Sequence, residues 1–332
     1  MNNTETSNHT QPTAVTPPRF DTRGVVLTTT DLTLAEWPES AARAGLNTIA
    51  LHGPGPLDAL AEFVRGDAGQ RFLADCQRLG LRVEYEVHAM SDLLPRELFG
   101  QEPDLFRMDK QGRRTPQFNC CPSSVRALEI IASRAAEYAR LLQPTTGRYY
   151  FWPDDVPDWC CCELCRKYNP SDQALLIENA IVRELRRLRD AQATLSHLAY
   201  DPTLVAPALV QPEPGIFLEF APIRRAYDRP FAEQTDPAQA DRLDALDANL
   251  KVFAADTAQV LEYWLDVSRF SKWERPAVKL PWQPEVVRAD LEAYAARGIR
   301  NITSFAVYLD ADYARLHGAP WEVIADYGKA MG

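Results

Sequence analysis

The chain has 332 residues, 46% hydrophobic and 25% charged, which is ample material for a large buried core. Its formal net charge of −10 argues against a nucleic-acid backbone as partner, although local Arg and Lys leave an anionic small substrate open. No apolar run reaches the about 20 residues that span a bilayer, and the opening MNNTETSNHTQPTAVTPP lacks the basic and apolar regions of a secretory signal, so a cytoplasmic location is expected. Seven Cys in such a chain point to thiols or metal rather than disulfides.

Polar, Pro-rich residues 1–19 are expected to form a disordered tail, with His9 in it. From residue 23 on, strand-like and helix-like runs alternate. RGVVLT (23–28) is followed by a helix over 34–45 that ends in Gly45, a C-cap residue. NTIALHG (47–53) precedes one or two helices in 57–80, and LRVEYEVHAM (81–90) precedes a long, weakly periodic connection over 91–122. Next come an amphipathic helix at 125–142, the strand RYYFWPDD (148–155), and a helix over 171–190 with Ser171 as candidate N-cap. ATLSHLAY (193–200), GIFLEFAPI (215–223), a helix at 243–253, AQVLEYWLDV (258–267), a helix at 284–298, ITSFAVYLD (302–310) and a helix at 320–331 complete the series. Eight such repeats predict one (β/α)₈ barrel over residues 20–332, with its chemistry at the C-terminal ends of the strands.

Side chains alternate along a strand, so one parity faces the barrel interior. Glu84, Glu86 and His88 share a parity, as do Trp152 and Asp154, Phe217 and Glu219, and Glu262, Trp264 and Asp266. Tyr200 closes the fifth strand, and Tyr308 and Asp310 close the eighth. Because helices cover the outside of a barrel strand, these acids are expected to point inward near the mouth. Aromatics there would stack on sugar rings while acids bind hydroxyls and move protons. A purely structural role, in pairs with Arg23, Arg82 or Lys279, is the competing expectation for any single acid.

Asp154 and Asp155 at the end of the fourth strand are the sharpest local signal. Adjacent carboxylates on extended chain point apart, so one can act as general acid while the other orients a substrate group. The alternative is a loop start that caps the next segment. WCCCELCRKY supplies Cys160, Cys162 and Cys165 at a spacing suited to thiolate metal sites, and Cys120 or its neighbour Cys121 could supply a fourth ligand. A structural Zn²⁺ is the expected occupant, and no organic cofactor is expected. Among the histidines, His88 is the best pocket candidate, His52 could bond substrate hydroxyls, and His197 reads as a core residue.

The runs WPDDVPDWCCCELCRKYNPSDQALLIENAIVREL and LAYDPTLVAPALVQPEPGIFLEFAPIRRAYDRP, with the EYWLD strand, resemble a bacterial family catalogued as a domain of unknown function. That family is glycoside-hydrolase-like and stands near α-glucuronidases and hexosaminidases, and the resemblance covers residues 20–332. The Asp pair is also similar to the adjacent aspartates of O-GlcNAcase-like hexosaminidases. That similarity implies that Asp154 polarises a substrate acetamido group and Asp155 serves as acid/base.

The expected function is therefore hydrolysis of a small glycoside or oligosaccharide, an N-acetylhexosaminide or a uronide. Asp154, Asp155, Glu219, Glu262 and Asp266 are the catalytic candidates. Glu86, His88, Trp152, Tyr200, Trp264, Tyr308, Lys279 and Arg114 are the substrate-binding candidates, with Arg224 a further cation for an acidic sugar. Two rival readings remain at this stage: a non-catalytic carbohydrate-binding barrel, and a metal-dependent hydrolase or isomerase built on Glu86, His88, Glu219 and Asp266. A small-molecule carbohydrate is the expected partner in every reading, with neither nucleic acid nor membrane.

Overall fold

Eight parallel strands close into a ring in the computed structural model, which describes residues 19–53, 55–236 and 241–332. They are β1 (Thr22–Thr28), β2 (Thr48–His52), β3 (Arg82–His88), β4 (Arg148–Trp152), β5 (Thr194–Ala199), β6 (Ile216–Phe220), β7 (Gln259–Glu262) and β8 (Asn301–Phe305). Each pairs with its sequence neighbour, and β8 returns to β1 in a register running from Thr22 opposite Asn301 to Val26 opposite Phe305. Val25, Val26, Leu27, Ile49, Leu51, Leu195, Leu218, Val260 and Ile302 are all buried, as expected of strands covered on both faces. The β1 to β2 approach is tight: a Cβ at Gly24 would sit 3.0 Å from the Thr48 carbonyl oxygen. Apart from Arg19, the tail expected at 1–19 lies outside the described residues.

The outer layer comprises α1 (Trp37–Arg43), α2 (Leu57–Arg65), α3 (Asp67–Leu79), α4 (Met90–Leu93), α5 (Val125–Leu141), α6 (Pro170–Leu188), α7 (Leu243–Asn249), α8 (Val267–Phe270), α9 (Pro284–Ala296), α10 (Ala311–His317) and α11 (Trp321–Met331). The 57–80 segment holds two helices, α2 and α3, broken at Gly66. α6 starts two residues earlier than Ser171 as N-cap suggests. Asn169 is its N-cap, in a capping box with Asp172, because the amide side chain accepts from the Asp172 N–H while the Asp172 carboxylate accepts from the Asn169 N–H. Ser171 instead donates to the carbonyls of Thr203 and Val205. At the seam, α11 packs on α1 so closely that a Cβ at Gly328 would overlap the Ala44 carbonyl, and the Tyr327 hydroxyl donates to the Gly24 carbonyl at 3.0 Å.

Two buried charge clusters organise this frame. Inside the ring, Arg148 lies over the Phe217 ring and beside Tyr150, whose hydroxyl is within hydrogen-bonding distance of Glu84 and Gln259. The Gln259 amide reaches Glu86 at 3.3 Å and Glu219 at 3.4 Å. Outside the ring, Arg225 is fully buried between Glu262 (3.1 Å) and Asp290 of α9 (2.5 Å). The Tyr294 hydroxyl also donates to Glu262, and Trp264 donates its indole N–H to Asp290 at 3.0 Å.

This second cluster overturns the inward placement of Glu262 and Trp264. Strand β7 has four residues; Gln259 joins the interior network and Leu261 lines the mouth, so Glu262 takes the opposite face. A carboxylate can stay buried there because a guanidinium and a tyrosine hydroxyl compensate it, which the simple rule of an apolar outer face leaves out.

Candidate active site

A cavity of about 440 Å³ opens at the C-terminal end of the ring, within the usual size of small-molecule sites. Thr28, His52, His88, Trp152 and Phe305, the last residues of their strands, all line it. Its inner part is an aromatic box. His88 and Trp152 have ring centroids 5.2 Å apart, His52 lies 5.7 Å from Trp152 and 5.4 Å from Phe305, and Tyr263 lies 5.3 Å from Phe305. Trp152 is fixed by its indole N–H, which donates to Glu219 Oε2 at 2.7 Å.

The two histidines are locked by backbone. Nδ1–H of His52 donates to the Glu86 carbonyl at 2.7 Å, and Nδ1–H of His88 donates to the Pro153 carbonyl at 2.6 Å. In each neutral ring Nε2 is then left as an acceptor. Burial, with the nearby His88, pushes the His52 pKa down to about 4, so this ring stays neutral at ordinary pH.

Two carboxylates line the cavity, Asp155 beyond β4 and Asp266 beyond β7. Asp155 is exposed at the mouth, beside the Tyr200 hydroxyl, whose pKa is raised first by burial and then by the Asp155 charge. Asp266 is buried, N-caps α8 through the Arg269 N–H, and accepts from the Ser268 hydroxyl at 2.5 Å, both through Oδ1. Burial lifts its pKa to about 6, against the opposing hydrogen bond from Ser268. The cavity therefore offers an acid that holds its proton in mildly acidic solution, and a second carboxyl facing solvent.

The other acids named from sequence lie elsewhere. Asp154 points away from the cavity: its carboxylate accepts from the Ser91 N–H (3.1 Å) and hydroxyl (2.5 Å) and sits 3.6 Å from Arg96. Glu86 and Glu219 face inward as their parity predicts, but they are wholly buried beneath the aromatic box. Burial pushes Glu219 up to about 8 and Glu86 well above the carboxylate range, with charge repulsion between neighbouring acids adding to it. Glu262 belongs to the outer cluster, where burial raises it to about 7. Glu86, His88, Glu219 and Asp266 thus form no common ligand set.

Of the binding candidates, His88, Trp152, Tyr200 and Tyr308 line the cavity; Trp264 does not, for the reason given by β7. Lys279 is exposed and does not line the cavity. Arg114 donates to the Phe106 carbonyl and approaches the Cys160 sulfur, and Arg224 pairs with Asp201. The guanidinium at the cavity is that of Arg275, tied to Asp310 at 2.5 Å. Sequence reasoning passed over Arg275, Tyr263, Trp273, Ser268 and Phe305. Phe305 and Tyr263 could have been found by correct parity, whereas Trp273 and Arg275 lie in a loop without period.

The cysteine cluster closes the loops after β3 and β4 onto each other. Sγ atoms of Cys121, Cys160, Cys162 and Cys165 all lie within 4.8 Å of one another, and all four residues are buried. Cys121 Sγ stands 3.8 Å from that of Cys162 and 3.7 Å from that of Cys165. A tetrahedron with metal–sulfur bonds of about 2.3 Å has edges of about 3.8 Å, so the thiols could hold a metal ion. Around them, the Met108 N–H donates to the Cys160 sulfur at 3.3 Å, and the Ser123 hydroxyl lies 3.1 Å from that of Cys165. Cys120, named first from sequence, is a correction. It bridges Phe106 across a short antiparallel contact and packs in the main apolar core, which turns its neighbour Cys121 to the cluster.

Residues 61–317, well over half of the chain, match the family model described as "Domain of unknown function (DUF4838)", and the chain belongs to that family. Among solved structures it is similar to Gan42B, a GH42 β-galactosidase from G. stearothermophilus, with a TM-score of 0.56 at 13% identity. It is also similar to a catalytic mutant of Gan42B, with a TM-score of 0.54 at 13% identity. In both cases 94% of this chain is covered but only 56% of the other, so the chain spans little more than half the length of these structures. At that identity the likeness is one of fold, the TIM barrel. No curated protein matches in sequence. Among the described residues, no helix is long and apolar enough to cross a membrane.

Proposed function

We propose that this member of the DUF4838 family is a glycoside hydrolase, with the barrel over residues 20–332 as its catalytic unit. The observation that carries the reading is the presence, in one aromatic-walled cavity, of two carboxyls from beyond β4 and β7, one of them with a raised pKa. Asp266 is the general acid: it gives its proton to the leaving glycosidic oxygen. Asp155 is its partner and acts on the anomeric carbon, directly or by taking a proton from the attacking water. Trp152, Tyr263 and Phe305 hold the sugar ring, and the Nε2 atoms of His52 and His88 accept from its hydroxyls.

Between the two substrate classes expected from sequence, the uronide is favoured. Arg275 supplies a guanidinium at the cavity for a sugar carboxylate. An acetamido-assisted reaction would need Asp154, whose carboxylate is occupied by Ser91 and Arg96. The thiols of Cys121, Cys160, Cys162 and Cys165 hold Zn²⁺ in this reading, and the ion supplies cross-linking of two loops rather than chemistry. The test is a panel of chromogenic glucuronides, galacturonides, N-acetylhexosaminides and neutral hexosides, with Asp266→Asn alongside. Turnover of an acidic glycoside that Asp266→Asn abolishes is the expected result. Equal signal from both proteins, or none with any glycoside, would remove the proposal.

A further inference from the structure

One wall at the mouth of the cavity includes an aromatic side chain, Trp273, to which the chemistry just described gives no part. Trp273 and Arg275 build it from the segment after α8, and Tyr308 builds it from beyond β8. Trp273 lines the cavity yet remains 64% exposed, an unusual state for so large an apolar side chain. The segment around it is braced rather than loose. The Tyr308 hydroxyl donates to the Trp273 carbonyl at 3.2 Å, and the Tyr308 N–H donates to the buried Asp31 at 2.8 Å. The Arg275 guanidinium lies 3.9 Å from the centre of the Tyr308 ring. Lys272, Trp273 and Tyr308 have φ of 54°, 59° and 71°, a left-handed backbone that such side chains rarely take, and one that gathers at ligand sites.

We propose that Trp273 is the stacking platform of an outer subsite for a second sugar ring, so that the substrate is at least a disaccharide. The inference rests on the glycosidase reading and deepens it. Trp152, Tyr263 and Phe305 at the inner end are buried, Tyr200 and Tyr308 are half-buried, and Asp155 is exposed at the mouth; the most exposed aromatic side chain lining the same cavity is the indole of Trp273. A ring bonded to one held inside would extend towards solvent, where this indole stands. Its C–H-rich side gains contact with an indole that is otherwise left to water.

Glycosyl fluorides, which carry one ring, and disaccharides with the same non-reducing sugar are the probes, compared on the parent and on Trp273→Ala. The expected result is a roughly tenfold fall in the ratio of kcat/KM for disaccharide over fluoride, the size of one lost stacking face, largely restored by Trp273→Phe. An unchanged ratio would overturn the subsite, even though turnover of fluorides by the parent would leave the glycosidase reading standing. Should the parent turn over neither probe, that reading fails, and calorimetric titration decides the subsite separately. Tighter binding of a disaccharide than of its monosaccharide, lost in Trp273→Ala, supports it; equal or no binding of the two overturns it.

Discussion

The indole N–H of Trp152 donates to Glu219 Oε2 at 2.7 Å, joining the floor of the cavity to the charged interior of the ring. Burial raises Glu219 from an ordinary 4.5 to about 8, so the folded protein binds a proton here that the unfolded chain releases. The stabilisation is complete below about pH 4.5 and is lost as pH rises towards 8. Glu219→Gln, which stays neutral, should flatten the fall in urea midpoint between pH 5 and pH 8. Glu219→Ala, which strands the indole N–H, should cost about 1–3 kcal/mol at pH 5.

As the proposed general acid, Asp266 would act only when protonated, and burial raises its pKa to about 6. The pH profile of kcat/KM on a cleaved glycoside should therefore fall on the alkaline side, with a midpoint near 6. Asp266→Asn should lower kcat by roughly 10²–10⁴ and remove that limb. An unchanged alkaline limb in the variant assigns the proton elsewhere.

Glu262 separates structure from chemistry. It sits with Asp290 around Arg225, all three wholly buried on the outside of the ring. Arg225→Ala leaves two acids uncompensated and should lower unfolding free energy by about 3–5 kcal/mol. Glu262→Gln should destabilise more mildly and leave kcat of the folded protein near the parent value. A thousandfold loss of kcat in Glu262→Gln, with normal circular dichroism, would return this residue to the active site.

Zinc content distinguishes the two adjacent cysteines after the long loop. Protein purified with Zn²⁺ should carry about one ion per chain, measured by mass spectrometry of the metal. Cys121→Ser should lose it and melt at a lower temperature, while Cys120→Ser, altered within the apolar core, should keep it. Retention of zinc by Cys121→Ser sinks the four-thiol site.

The barrel was legible in the sequence because its strands repeat the same physics eight times, and each apolar run is bounded by a helix with its own period. Legibility failed where one residue of parity decides the face. The β7 run read as a single ten-residue strand, yet pairing stops at Glu262, and Trp264 and Asp266 follow the turn that leads to α8 rather than the pleat. Asp155 and Asp266, the two acids that line the cavity, could be picked from the sequence only together with three others, since burial partners such as Arg225 for Glu262 or Ser91 for Asp154 lie far off in the chain. The thiol spacing pointed to a metal cage, but which of two neighbouring cysteines turns inward depends on the contact between Phe106 and Cys120. Trp273 and Arg275 carry no periodic signal at all.

The seam where α11 meets α1 has a consequence for biosynthesis. Strand β1 finds its second neighbour only in β8, and the Gly24 carbonyl finds its tyrosine only in α11. A nascent chain on the ribosome therefore holds an open edge and an uncovered first helix until β8 and α11, residues 301–331, emerge. Chaperone dependence should accordingly be greatest for chains arrested just before β8, and vanish once α11 is free.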